Sequence, residues 1–249
     1  MLFFQKAFSL IELLVIISIL AALSALLMPS LKKTQEVALR VACKNTTSST
    51  SQAWNLYVED HNYKIFRYLD RKNRSIWTAY LKDYLQDPYL LICPSTVVPD
   101  TIPNNKYLMG SAKMAWVENR NYIKPIKDWN RSSYTYNINV GPGNPYNSAS
   151  YEYLSDIANT SSTPLLGDGW WRAPARMHNS LTRYIPQNLD DPTKGLRGEN
   201  SADRFITNRH GNMTVLTYVD GHSASVYLEE VFAQNWYKGY DRKKPAERF

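Results

Sequence analysis

Phe8-Ser-Leu-Ile-Glu-Leu-Leu-Val-Ile-Ile-Ser-Ile-Leu-Ala-Ala-Leu-Ser-Ala-Leu-Leu-Met28 decides how the chain is read. Wound as a helix at about 1.5 Å per residue, this stretch reaches about 31 Å, the thickness of a bilayer's hydrocarbon core. A secretory signal peptide has an apolar run of roughly 7 to 15 residues, free of acid, ahead of a small-residue cleavage site. The run here is longer, and it carries a carboxylate, Glu12. An acid in hydrocarbon costs up to about 3 kcal/mol and marks a functional residue by default. Snorkelling of Glu12 to the headgroups is the plainer alternative, because it lies near the helix end. Pro29 follows Met28, and a proline removes a backbone donor and crowds the preceding turn. A kink or local melting is therefore expected over residues 26–29.

The order Lys6-Ala7-Phe8-Ser9-Leu10-Ile11-Glu12-Leu13-Leu14 resembles the cleavage and methylation signature of type IV prepilins and type II secretion pseudopilins. The resemblance implies a cut by prepilin peptidase between Ala7 and Phe8 and N-methylation of Phe8. It makes Glu12 the fifth residue of the mature chain, acting in assembly, and gives Pro29 the place of the pilins' helix-breaking proline. Gly usually precedes the cut in that family, and Ala7 departs from this. The physics of Glu12 suits the role: a carboxylate in hydrocarbon needs a partner, and the amine released at Phe8 on a neighbouring subunit is one. Lys6 flanks one end of the apolar run and Lys32 and Lys33 the other, so flanking charge does not set the orientation. The resemblance implies a cytoplasmic N-terminus, a single span of the inner membrane and a C-terminal domain in the periplasm or outside the cell.

Working outward, the 249 residues are enough for one sizeable core beyond the anchor. Mean hydropathy is −0.43, a soluble value that averages over two parts living in different solvents. Residues 30–61 read as a helical spine, with Leu31, Ala38, Ala42, Ala53 and Leu56 or Tyr57 at three- and four-residue steps. The run Lys44-Asn-Thr-Thr-Ser-Ser-Thr-Ser-Gln52 has poor helix formers, so irregularity or a solvated face is expected there. A short helix is expected over residues 75–85.

Strand signals follow. Ser133-Tyr-Thr-Tyr-Asn-Ile-Asn-Val140 places Tyr134, Tyr136, Ile138 and Val140 on one face, and the loop Gly141-Pro-Gly-Asn-Pro145 ends it. Pro164-Leu-Leu-Gly-Asp-Gly169 reads as a buried strand entering a turn. Asp220-Gly221 between Asn212–Val219 and His222–Leu228 is a strong hairpin signal, read as a type I′ turn. His210, nine residues and then Asp220-Gly221 resemble the C-terminal hallmark of prepilin-like proteins of planctomycete-type bacteria. The segment from Leu31 to Tyr63 and Cys93-Pro-Ser95 also resemble that group.

The fold class read from these signals is α+β and pilin-like: a long membrane-spanning helix followed by an antiparallel β-domain with irregular insertions. The spans are a leader at 1–7, a transmembrane helix at 8–28, a helical spine at 29–62 and a β-rich domain at 63–249.

The two cysteines, Cys43 and Cys93, could form one disulfide or remain buried thiols, since sequence does not fix their Cα separation. With two cysteines and no paired histidine motif, a tetrahedral zinc site is not expected. Asp168, His210, Asp220 and His222 are the candidates for a cation, calcium first, although turn chemistry alone explains Asp220. There is no nucleophile elbow and no phosphate loop, so an enzyme is not expected and no cofactor is required. Net charge is +7, with the densest basic stretch in the tail 238–248, and no nucleic-acid motif is present.

The function read from sequence is a structural subunit of a type II secretion pseudopilus or type IV pilus-like filament. Its partners would be prepilin peptidase/methyltransferase, other pilin-like subunits and membrane lipid. The alternative is a membrane-anchored extracytoplasmic module that binds carbohydrate or a secreted partner, with adjacent Trp170 and Trp171 as a stacking pair or as core.

Overall fold

In the computed structural model the described residues are 9–100, 106–121, 123–124, 128–142, 150–173, 184–185, 190, 202–240 and 247–248. Ala7 and Phe8, and most of the loop after Gly141, lie outside them. The chain divides into two units, residues 1–38 and 39–249.

One helix, α1 (Leu10–Asp60), runs 51 residues. Its apolar part is long and apolar enough to cross a membrane, with a mean hydropathy of 2.7 over its best window and none of that window buried. Residues 26–29 are helical and Pro29 lies inside α1, which overturns the expected local melting. A proline removes one backbone bond, and the Ala and Leu residues around it are strong helix formers that hold the adjacent turns.

The hydroxyl-rich run is regular helix with one buried face, and Asn45 and Gln52 are exposed on the other. Thr47, Thr50 and Ser51 are fully buried within α1. The reason is local: Thr46 and Thr47 donate to the Cys43 carbonyl, Ser49 to that of Asn45 and Thr50 to that of Thr46. These side chains turn their competing hydrogen bonds back onto the helix, so their poor propensity is offset and a polar face can be buried.

The central sheet has four antiparallel strands: β1 (Tyr134–Tyr136), β2 (Pro164–Asp168), β3 (Met213–Tyr218) and β4 (Ser223–Tyr227), in the order β4-β3-β2-β1. With α1 ahead of it, this is the α+β, pilin-like layout expected from sequence. Both faces of the sheet are covered. Tyr134, Tyr136, Leu165 and Val215 join one core with Trp54, Val58 and Trp77, while Leu216, Tyr218 and Val226 join another with Phe205, Phe232 and Trp236.

Three local readings differ from the structure. Regular strand covers only Tyr134–Tyr136 of the expected run, and Thr135, Asn137 and Asn139 are as buried as the tyrosines, because the second core takes the other face. Asn137 donates to the carbonyls of Pro164 and Trp236, which is how an amide is accommodated there. The segment expected as a helix over 75–85 is a strand end, Ser75–Ile76, and one turn of helix, Trp77–Tyr80.

The β3–β4 hairpin forms as expected, but its turn is not type I′. Gly221 has φ +92° and Asp220 is not among the residues of positive φ. The Gly221 amide donates to the Tyr218 carbonyl and the Tyr218 amide to that of His222, so the loop needs one left-handed residue rather than two. A second, three-stranded sheet joins Tyr107–Leu108, Trp116–Glu118 and Arg131–Ser132.

Candidate functional site

The structure brings together Cys43, Cys93, Asp168 and His210, all buried, with one ligating atom from each within 4.8 Å of every other. Cys43 comes from α1, Cys93 from the loop after the 3-10 turn Pro88–Leu91, Asp168 from the end of β2, and His210 from the segment leading into β3. Register explains the convergence. Tyr134 of β1 pairs with Asp168 of β2, and the Tyr134 hydroxyl lies 3.7 Å from Cys43 Sγ and 2.5 Å from Thr46 Oγ1. Gly169, next to Asp168, has no room for a side chain, since a Cβ there would lie 1.8 Å from Thr135 Oγ1.

Cys43 Sγ is 3.4 Å from Asp168 Oδ1, Cys93 Sγ is 3.5 Å from His210 Nε2, and His210 Nε2 is 3.2 Å from Asp168 Oδ2. Val215 N–H donates to Asp168 Oδ2 at 2.9 Å, and Arg209 Nη1 lies 3.3 Å from Oδ1. The Arg209 guanidinium is fully buried and also donates to the carbonyls of Ser133, Ser111 and Gly169.

Burial alone would push the Asp168 carboxyl up and the His210 imidazole down. Their mutual hydrogen bond and charge outweigh this, with Arg209 and Val215 N–H helping Asp168 and Cys93 helping His210. Asp168 therefore sits below the usual carboxylate range and His210 above the usual imidazole range. A hydrogen bond from Cys43 lowers the Cys93 thiol, whereas burial raises Cys43.

Cys93, His210 and Asp168 have the composition of a nucleophile–base–carboxylate relay but not its geometry. In such a relay the acid holds one ring nitrogen and the nucleophile faces the other. Here both Cys93 and Asp168 address Nε2, and Nδ1 has no hydrogen-bond partner among the described residues.

The sequence singled out all four residues but grouped them otherwise. Cys43 and Cys93 are free thiols, though close neighbours. Asp168 and His210 meet each other but not Asp220 or His222. Those two form an exposed local pair, with His222 Nδ1 at 2.6 Å from Asp220 Oδ1 and the His222 ring stacked on Tyr218. Trp170 and Trp171 are 1% and 5% exposed, so they are core and offer no open stacking face.

At the start of α1, Glu12 Oε2 accepts a hydrogen bond of 2.9 Å from Ser9 N–H. Ser9-Leu-Ile-Glu12 thus uses the acid of a capping-box pattern to satisfy one free amide at the start of α1. Sequence reasoning missed this role, although serine followed three residues later by glutamate is its signal.

No protein-family model, no curated protein and no solved structure matches this chain.

Proposed function

We propose that the chain is a prepilin-like structural subunit. It is processed between Ala7 and Phe8 by prepilin peptidase, held in the inner membrane with a cytoplasmic N-terminus, and assembled with other pilin-like subunits into a secretion pseudopilus or pilus-like filament. The observation that carries this reading is Glu12, an acid near the start of the apolar stretch 10–28 of α1, whose side chains are all exposed.

In the single chain Glu12 is engaged by its own helix end, a cap typically worth about 1 kcal/mol. A neighbour's terminal amine adds a full positive charge that the neutral Ser9 amide lacks, so it is the stronger partner for the carboxylate when subunits align. Assembly thereby replaces a local neutral donor with a cation, and the packed helices cover apolar side chains that are bare in the subunit.

Glu12→Gln separates the two roles, because glutamine keeps the capping hydrogen bond and loses the charge. In host cells the variant should reach the membrane in normal amount yet fail to enter sheared or cross-linked filaments. Incorporation equal to the parent, or a mature chain that by mass spectrometry retains residues 1–7, would overturn the proposal.

A further inference from the structure

Four metal-ligating side chains from segments remote in sequence converge on one buried point in the β-domain core. The Cys43 S–H faces both Asp168 Oδ1 and Cys93, and one nitrogen of His210 faces both Cys93 Sγ and Asp168 Oδ2.

We propose that Cys43, Cys93, Asp168 and His210 are the ligands of a buried tetrahedral zinc ion that fastens α1 to the sheet. This inference is independent of the filament reading. Zinc bonds of about 2.3 Å to sulfur and about 2.0–2.2 Å to nitrogen or oxygen place neighbouring tetrahedral ligands roughly 3.3–3.8 Å apart. Two edges of one such tetrahedron have close to that size, Cys93 Sγ to His210 Nε2 at 3.5 Å and Cys43 Sγ to Asp168 Oδ1 at 3.4 Å, and all four ligand atoms lie within 4.8 Å of one another. Two sulfurs, an imidazole and a carboxylate are a donor set for zinc rather than for calcium, which takes six to eight oxygens.

Charge and surroundings agree with the assignment. Two thiolates and a carboxylate around a dication leave one negative charge, and buried Arg209 supplies one positive charge beside Asp168. Arg209 and Val215 N–H together hold the carboxylate in place, as outer groups do around bound metals. All four ligands are at most 2% exposed, which suits a closed structural ion rather than a catalytic one with an open position. Binding releases the thiol protons and the His210 Nε2 proton to solvent and joins four segments remote in sequence.

The test uses the full chain in detergent micelles, purified with reductant and dialysed against zinc in chelated buffer. About one zinc per chain is expected by mass spectrometry, and cobalt in its place should give thiolate charge-transfer and tetrahedral visible bands. Cys93→Ser and His210→Ala should each weaken zinc binding by at least roughly 100-fold, the upper end of what losing a supporting group costs. Tryptophan fluorescence confirms which variants are folded, and either one folded suffices. Folded, reduced protein without zinc, cobalt spectra lacking a thiolate band, or binding unchanged in the folded variant would each overturn the assignment. So would a Cys43–Cys93 disulfide in protein isolated without reductant.

Discussion

Two ion-paired glutamates in this chain differ both in burial and in the cations that hold them, so they set a buried network against an exposed pair. Glu118, in the middle strand of the three-stranded sheet, has a side chain with no exposed surface. Its Oε1 accepts from Arg120 Nε at 2.7 Å, and its Oε2 from Arg120 Nη2 at 2.5 Å and Arg172 Nη1 at 2.6 Å. Glu152 pairs with Lys64 at 3.2 Å, with both side chains about half exposed. Glutamine at 118 keeps the volume but turns an amide N–H₂ toward guanidinium donors and removes the carboxylate that Arg120 and Arg172 share. Breaking a buried pair in this way costs about 3–5 kcal/mol. Glutamine at 152 removes a pair that water and salt already weaken, at a cost below about 1 kcal/mol. Urea unfolding of the full chain in micelles, followed by tryptophan fluorescence, reads both, since Trp54, Trp77, Trp116, Trp170 and Trp236 are fully buried. If Glu118→Gln falls within about 1 kcal/mol of Glu152→Gln, the buried network does not stabilise the fold more than the exposed pair, which refutes the reasoning.

Two further substitutions probe the packing around the sheet. Gly169→Ala would put a Cβ 2.5 Å from both Thr135 Cβ and the Arg204 carbonyl oxygen, neither of which can swing aside. A loss of at least about 2 kcal/mol is expected in the same unfolding assay, and a loss under about 0.5 kcal/mol would contradict the close approach. Tyr136→Phe removes the acceptor of Trp54 Nε1–H, 3.2 Å away, and the donor to the Val140 carbonyl, leaving two buried groups unmade. It should cost about 1–3 kcal/mol, and a thermal melt unchanged from the parent would count against that hydrogen bond.

The anchor and the hairpin are legible in the sequence because both are written in local patterns, an unbroken apolar run and Asp-Gly between β-rich segments. The helical run 44–52 defeats a propensity reading, which treats Thr and Ser as competitors of the backbone, whereas they bond back to carbonyls one turn earlier. The burial of the strand after Ser133 is hidden because alternation assumes one wet face, and the second core around Trp236 lies far along the chain. The cysteine–aspartate–histidine cluster is least legible. Its members are single residues on four elements, and no spacing rule reaches across folds in which register alone decides the neighbours.

The polar face of α1 explains why that register is held. Apolar burial is non-directional and would let a helix slide along a sheet at little cost. Directed bonds do not allow this: Thr46 meets the Tyr134 hydroxyl, Trp54 Nε1 meets the Tyr136 hydroxyl, and Thr47 reaches Ser223. The first two lie on alternate residues of β1, two strand positions apart, and are matched by residues eight apart on α1. A one-residue shift of the helix would turn these side chains away from their partners. Cys43 lies one turn before Thr46 and Thr47 on the same face, so the bonds that fix the helix also deliver its thiol to Asp168. Hydroxyls that a propensity scale counts against the helix are therefore what place its cysteine.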